Sequence, residues 1–339
     1  MQRRQESEND MEVDEYDHDS TFGGDRDSIV SSSVSLNSAI TKYQFEHGRR
    51  YHAYQAGAYS FPNDEQELNR MDIEHQNQKI QMDGQLHLCP LHEPEAILDL
   101  GTGTGIWAME MADQYPTCEV VGTDLSPVQP SWVPVNCSFE VDDFELEWTW
   151  GENRFDMIHH RFSLGSVSDY PRLYKQAYAA LKPGGWIEII DMEAKAYSDD
   201  DTLPEDSPLV AWGKLIEEAF AKIGKPFLKI EEYPRLLKEQ GFENIQSHMI
   251  KRPSNDWPKD PKMKEIGRVG ENTLFCCLNF LEGLEGFTMA PFTRVLGWKQ
   301  EEVKSLIAKV RAETVQRSVH AWQKAQVILK GEQHFQTNL

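Results

Sequence analysis

The stretch ILDLGTGTGIW, residues 97–107, carries an apolar strand through three glycines into the start of a helix. Gly101, Gly103 and Gly105 stand where the backbone has to turn sharply and approach a ligand without Cβ interference. A helix from about residue 106 to 114 then offers the unpaired N–H groups of its first turn to that ligand. Nineteen residues past Gly105, Asp124 ends the next apolar strand, and a carboxylate there can accept two hydrogen bonds from a ribose diol. Ligands of such sheets lie outside the carboxyl ends of the strands at the switch point, where both features fall. The dinucleotide fingerprint is GxGxxG, whereas the third glycine here comes one position early, as GxGxG. Asp99 stands two residues before the first glycine. Strand–helix packing alone and dinucleotide binding are the alternatives.

Outward from this segment, strands and helices alternate. Strands are expected over residues 96–100, 119–123, 138–141, 155–159 and 186–190, with helices over 106–114 and 171–181, which implies βαβ units and a parallel sheet. Further on, helices are expected over 208–223 and 233–240, a strand over 244–250, and a mostly helical block over 260–317 interrupted at 286–297. Residues 321–329 read as a last strand. Upstream, Tyr43, Tyr51 and Tyr54 sit at helix-like spacing within 41–55, and a turn at 58–62 follows. Asp64 with Glu67 three residues later reads as a capping box, Leu68, Met71, Ile73 and Ile80 as an apolar stripe, and Gly84 as the stop.

The first forty residues are a different material. Residues 1–30 hold ten acidic and three basic side chains, and a serine-rich stretch follows, too polar to offset chain entropy, so residues 1–40 are read as a disordered acidic tail. The domain then spans 41–330, with a helical lid at 43–85, cap helices at 208–223 and 260–317, and a C-terminal tail at 331–339. A formal charge of −22 disfavours direct nucleic-acid and anionic-lipid partners. No apolar run of roughly 18 residues exists, so membrane insertion is not expected and the localisation reads as cytoplasmic, nuclear or both. The five cysteines show no CxxC spacing, and no metal site is expected.

With these motifs in place, the chain resembles the class I S-adenosylmethionine-dependent methyltransferases. The resemblance rests on LDLGTGTG (98–105), VVGTDLSP (120–127), FDMIHHRF (155–162) and LKPGGWIEI (181–189), in order and at ordinary spacing. It implies a Rossmann-like α/β fold with a seven-stranded sheet of order 3-2-1-4-5-7-6, strand 7 antiparallel, and S-adenosyl-L-methionine as cofactor. It also implies that Asp99, Gly101 and Gly103 face the methionine part and Asp124 the ribose, with Thr102, Gly105 and Leu125 completing the contacts and Asp142 with Asp143 near the adenine amine. GRRYHAYQAGAYSFPNDEQELNRMDIEHQ (48–76) is further similar to the LaeA-like methyltransferases of filamentous fungi, which include regulators of secondary metabolism and biosynthetic enzymes.

Methyl transfer from a sulfonium is an in-line displacement that needs alignment and exclusion of water, so no catalytic triad is expected. An oxygen or nitrogen acceptor can still need a base, for which His159 and His160 at the end of the fourth strand are candidates; packing and a structural hydrogen bond are the alternative. The NPPY-type sequence of amide and adenine N-methyltransferases and the paired glutamates of arginine methyltransferases are missing from the fourth strand. Tyr51, Tyr59, Asn63, Arg70 and Arg161 are the candidate lid and substrate residues, and aromatics such as Trp212, Phe275, Phe287, Phe292 and Trp298 pack the cap or line an acceptor pocket. The acceptor is read as a small molecule or a protein. The rival reading is a regulatory binding protein that keeps the fold and acts in the nucleus through protein partners docked on the acidic tail.

Overall fold

The computed structural model describes residues 40, 42–267, 269–270, 273–274 and 276–330. The tails expected at 1–40 and 331–339 therefore lie outside the described residues, Ile40 apart, as does the side chain of Phe275.

A seven-stranded sheet organises the chain. Its strands are β3 (Ala96–Leu100), β4 (Glu119–Asp124), β5 (Cys137–Val141), β6 (Phe155–Arg161), β7 (Leu181–Tyr197), β8 (Ile245–Pro253) and β11 (Trp322–Lys330). The spatial order is β5-β4-β3-β6-β7-β11-β8, with β3 through β7 parallel to their neighbours and β11 antiparallel to both β7 and β8. Counted from one within the sheet, that order is 3-2-1-4-5-7-6. β3 is buried along its whole length because helices cover both faces, which is why it reads as an unbroken apolar run.

On one face, α2 (Ile106–Gln114) buries Trp107, Ala108, Met111 and Ala112 against Ile97, Val120 and Met157. On the other, α3 (Tyr170–Ala180) and α5 (Tyr233–Glu239) bury Tyr174, Ala177, Tyr233 and Leu237 against Leu98, Ile158 and Ile187. A separate apolar cluster forms the cap, where α4 (Pro208–Lys222), α7 (Cys276–Arg294) and α8 (Gln300–Thr314) converge on Phe61, Ala194 and Ala196. The short α6 (Pro261–Gly267) and the strand pair β9 (Val269–Gly270) and β10 (Thr273–Leu274) precede α7.

Three expectations are corrected. Within residues 41–55 the chain is an antiparallel hairpin, β1 (Gln44–Glu46) and β2 (Arg49–Tyr51), and not a helix. The turn residues His47 and Gly48 both have positive φ, at 50° and 80°, the backbone that a two-residue hairpin turn requires. The expected interruption at 286–297 begins only after Arg294, since α7 runs through Gly286 and Pro291. Gly286 serves close packing: a Cβ there would stand 3.2 Å from the Arg49 guanidinium and 3.3 Å from the Pro62 ring. The apolar stripe expected on α1 (Glu65–Gln81) is only partly covered, while Glu67, Glu74, His75, Asn77, Gln78 and Gln81 are buried. Half of the expected capping box forms: the Asp64 side chain accepts from the Glu67 N–H, while the Glu67 carboxylate turns to Arg70 instead of the Asp64 N–H.

Candidate active site

The glycine turn has the geometry its sequence implies. Gly101, Gly103 and Gly105 all have positive φ, at 66°, 60° and 79°. Steric demand differs among them: a Cβ on Gly105 would lie 2.3 Å from the Phe139 ring, whereas one on Gly101 would make only a 3.5 Å contact with Phe144. Gly105 caps α2 with no side-chain acceptor for the first-turn N–H groups.

Asp124 ends β4 beside this turn. Its Oδ2 accepts the Gly103 N–H at 2.9 Å and its Oδ1 accepts the Ser126 N–H at 2.9 Å, so the carboxylate is fixed from both sides. Burial pushes its pKa up to about 6 against these bonds, leaving it mostly ionised at neutral pH.

Asp99 is not at the surface of the site. Its Oδ1 accepts from Nδ1 of His159 at 2.8 Å and its Oδ2 accepts from the Thr102 hydroxyl at 2.6 Å. His159 in turn stacks on Trp107, with ring centres 3.7 Å apart and planes 6° from parallel. The pair thus braces the glycine turn from behind through Thr102. His160 faces the opposite side of the sheet, among Phe144 and Tyr174, and burial pushes its pKa down to about 4, so it is neutral at physiological pH.

The N-terminal segment closes over the turn. Arg49 holds Asp64 through two hydrogen bonds at 2.6 and 2.8 Å, and Arg50 donates to the Asn63 side chain at 3.0 Å. Asn63, buried, donates to the Ser126 hydroxyl at 3.0 Å, which ties the 62–64 turn to the end of β4. From α1, Asp72 accepts from Thr104 at 2.7 Å, and the Met71 sulfur lies where a Cβ on Gly103 would come within 3.0 Å.

Together these elements enclose a cavity of about 230 Å³. Gly101, Thr102, Gly103, Asp124, Leu125 and Asp143 border its sheet side, with Phe144 beside them. Tyr59, Phe61, Trp212, Phe227, Phe280 and Phe287 border its cap side. His160, Arg161, Asn63 and Arg70 also reach it, whereas Asp99, Gly105, Asp142, His159 and Tyr51 do not. Tyr51 packs under Arg294, and Phe292 against Trp298.

Residue reasoning overlooked an ionic wall between α1, β8 and α7. Glu74 accepts from Arg252 at 2.8 Å and from Asn279 at 2.5 Å, and Arg252 also donates to the Cys276 sulfur at 3.3 Å. Arg70 is clamped by Glu67 at 2.7 and 2.9 Å and by Asn279 at 2.8 Å. The available signal was the i, i+3/i+4 row Glu67–Arg70–Glu74 on α1, which reads equally as a solvated helix face.

Residues 73–247 match a family described as a methyltransferase domain. The chain belongs to that family. Methyltransferase pytC of Aspergillus terreus is 44% identical, with 86% of this chain and 88% of the relative covered. The secondary metabolism regulator LAE1 of Cochliobolus heterostrophus is 42% identical, covering 87% and 96%, and the protein-methionine methyltransferase laeA of Emericella nidulans is 34% identical, covering 86% and 77%. The methyltransferase is thus of the LaeA-like kind, and its cofactor is S-adenosylmethionine. The residues present fit that cofactor: a carboxylate fixed by backbone N–H groups at the second strand, a glycine turn with no Cβ over it, and Asp143 with Phe144 at the third.

Proposed function

We propose that this methyltransferase moves the methyl group of S-adenosylmethionine to an oxygen of a small aromatic or polyketide-like acceptor seated on the cap side of the cavity. One observation carries the reading: the cofactor cradle at Asp124 and a wall of six aromatic rings border one and the same cavity. The bound cofactor supplies an electrophilic methyl with a neutral thioether leaving group. The chain's own residues orient it and exclude water, Asp124 and Gly103 on the sheet side and the rings of the cap opposite.

The wall chemistry favours a neutral acceptor over a cationic amine. Glu74 and Glu67, which are the glutamates of the α1 wall, are both paired with arginines, so their charge is already balanced before an ammonium group could reach them. His160, neutral and on the cavity, can accept a hydrogen bond from an acceptor hydroxyl. A radiolabelled methyl donor offered with a panel of phenols and hydroxyquinones tests this, with label expected in the organic phase. Label found solely in amines, or in no small molecule at all, refutes it.

A second reading is favoured by the relatives named as secondary metabolism regulators and as a protein-methionine methyltransferase: action on or through protein partners, in the nucleus or cytoplasm, with the acidic segment 1–40 as a docking arm. Label in acid-precipitated protein, with the Gly103→Asp variant abolishing the biological output, supports action on a protein acceptor; an output unchanged in that variant supports action through partners alone, and an unchanged localisation and partner set after deletion of 1–40 removes the docking arm.

A further inference from the structure

Arg161 is the last residue of β6, and the register places it beside the glycine turn: His160 pairs with Leu100, so Arg161 stands level with Gly101. Arg161 borders the cavity. Among the described residues no carboxylate forms an ion pair with it. Its side-chain hydrogen bond is to Nδ1 of His75 on α1, at 3.1 Å. Burial pushes its pKa below the usual arginine value, the signature of a charge taken out of water without a paired anion.

The carboxylates that act on Arg161 from a distance are each committed to another group. Asp99 holds His159 and Thr102, Glu74 holds Arg252 and Asn279 through Oε2 while its Oε1 makes no hydrogen bond, to Arg161 or to any other described group, Glu110 holds Lys79 at 2.7 Å, and Asp72 holds Thr104. A guanidinium cannot accept, so His75 must present the lone pair of a neutral ring at Nδ1 and carry its proton on Nε2. That Nε2 lies 3.2 Å from the Glu110 carboxylate, off the line of a hydrogen bond, and burial together with the nearby Arg161 pushes the His75 pKa down to about 4. The result is a charged fork held by one neutral acceptor, with the rest of its donors unspent, level with the turn that would face the amino-acid end of the cofactor.

We propose that Arg161 takes the carboxylate of the methyl donor, that His75 is its positioning residue, and that the pair selects amino-acid-bearing nucleosides over their decarboxylated counterparts. This rests on the S-adenosylmethionine reading above. An anion on the acceptor is the other possible source of a carboxylate, but the register places Arg161 at the glycine turn and the aromatic cap stands across the cavity.

The test compares two thioethers by calorimetric titration on the same protein sample: S-adenosylhomocysteine and its decarboxylated analogue, S-adenosyl-3-thiopropylamine. A charge-assisted bond to a partly desolvated guanidinium makes the wild type prefer the former by roughly ten- to a hundredfold. In Arg161→Met that preference should collapse to within about threefold, through loss of S-adenosylhomocysteine affinity alone, with Arg161→Lys in between. His75→Leu should lower the ratio severalfold and His75→Asn, which keeps an acceptor near the Nδ1 position, should restore most of it; a merely structural His75 would weaken both ligands equally. Because the readout is a ratio, partly unfolded sample cancels. Binding of both thioethers with equal affinity by the wild type, or an unchanged ratio in Arg161→Met, overturns the assignment while leaving the cofactor reading intact. Binding of neither thioether by folded wild type overturns the cofactor reading itself, and the assignment with it.

Discussion

Replacing Asp124 by Asn probes the cofactor cradle with little change of shape. In the wild type each carboxylate oxygen already accepts one backbone N–H at 2.9 Å, from Gly103 and from Ser126. An amide offers one acceptor oxygen, so its NH2 group must face one of these donors, and the charge that a ribose diol would meet is gone. Hydrogen bonds to a charged acceptor contribute about 1.5–3 kcal/mol, which corresponds to a loss of affinity of roughly tenfold to a hundredfold. Titration calorimetry with S-adenosylhomocysteine at pH 7.5 measures it, with the melting temperature as the check on folding. The pH dependence supplies a second, independent handle. Burial holds the Asp124 pKa near 6, and ribose hydroxyls donate to the ionised form, so cofactor affinity is full above that value. It falls by up to about tenfold per pH unit as the carboxylate protonates below it. In Asp124→Asn this slope should vanish. Wild-type affinity in the variant, or a slope that survives the substitution, would refute the role given to Asp124.

Gly105→Ala should destabilise by roughly 2–4 kcal/mol, adding the cost of a left-handed residue to a collision with Phe139. Gly101→Ala, with ordinary contact distance to Phe144, should cost about 1–2 kcal/mol, and equal urea midpoints for the two would contradict the packing argument. Glu74→Gln strands the buried Arg252 and should cost about 3–5 kcal/mol, most of it recovered when Arg252→Met is added; additive losses in that double-mutant cycle would show the two are not coupled. Glu188, buried with one unpartnered oxygen, has its pKa raised to about 7 by burial. The folded state therefore holds a proton that the unfolded chain has released above its ordinary carboxylate range. Stability should fall as pH rises towards 7, and Glu188→Gln should flatten that slope in denaturant titrations from pH 5 to 8. His160→Phe should lower turnover with hydroxyl acceptors while leaving cofactor affinity within about threefold, read from single-turnover rates beside calorimetry.

The sheet was legible because its signals are local. An apolar run, a glycine turn and an acid at the next strand end each depend on a few adjacent residues, and their order carries the topology. The bounds were less so: β7 extends to Tyr197 because Met192, Ala194 and Ala196 alternate inward past the apolar run, with charged residues between them. What failed were long-range properties. Asp99 reads as a ligand contact, yet its oxygens are taken by His159 sixty positions away and by Thr102. Gly286 reads as a helix breaker, and only the approach of Arg49 and Pro62 shows why a glycine stands inside the helix. The burial of Glu74, His75 and Asn77 could not be read from α1 alone, since their partners Arg252, Arg161 and Cys276 lie far along the chain.

The polar inner face of α1 bears on how a ligand gets in. The groups this helix buries are amides, carboxylates and an imidazole, and several of their polar atoms, both of the Gln78 side chain among them, make no hydrogen bond that opening would have to break. Lifting it from α7, on which it chiefly packs, would wet a hydrophilic surface and uncover little oil, which limits the sticky exposure that drives partly opened proteins to clump. Deuterium uptake along residues 65–81 should accordingly outpace that of α7, and slow when S-adenosylhomocysteine is added.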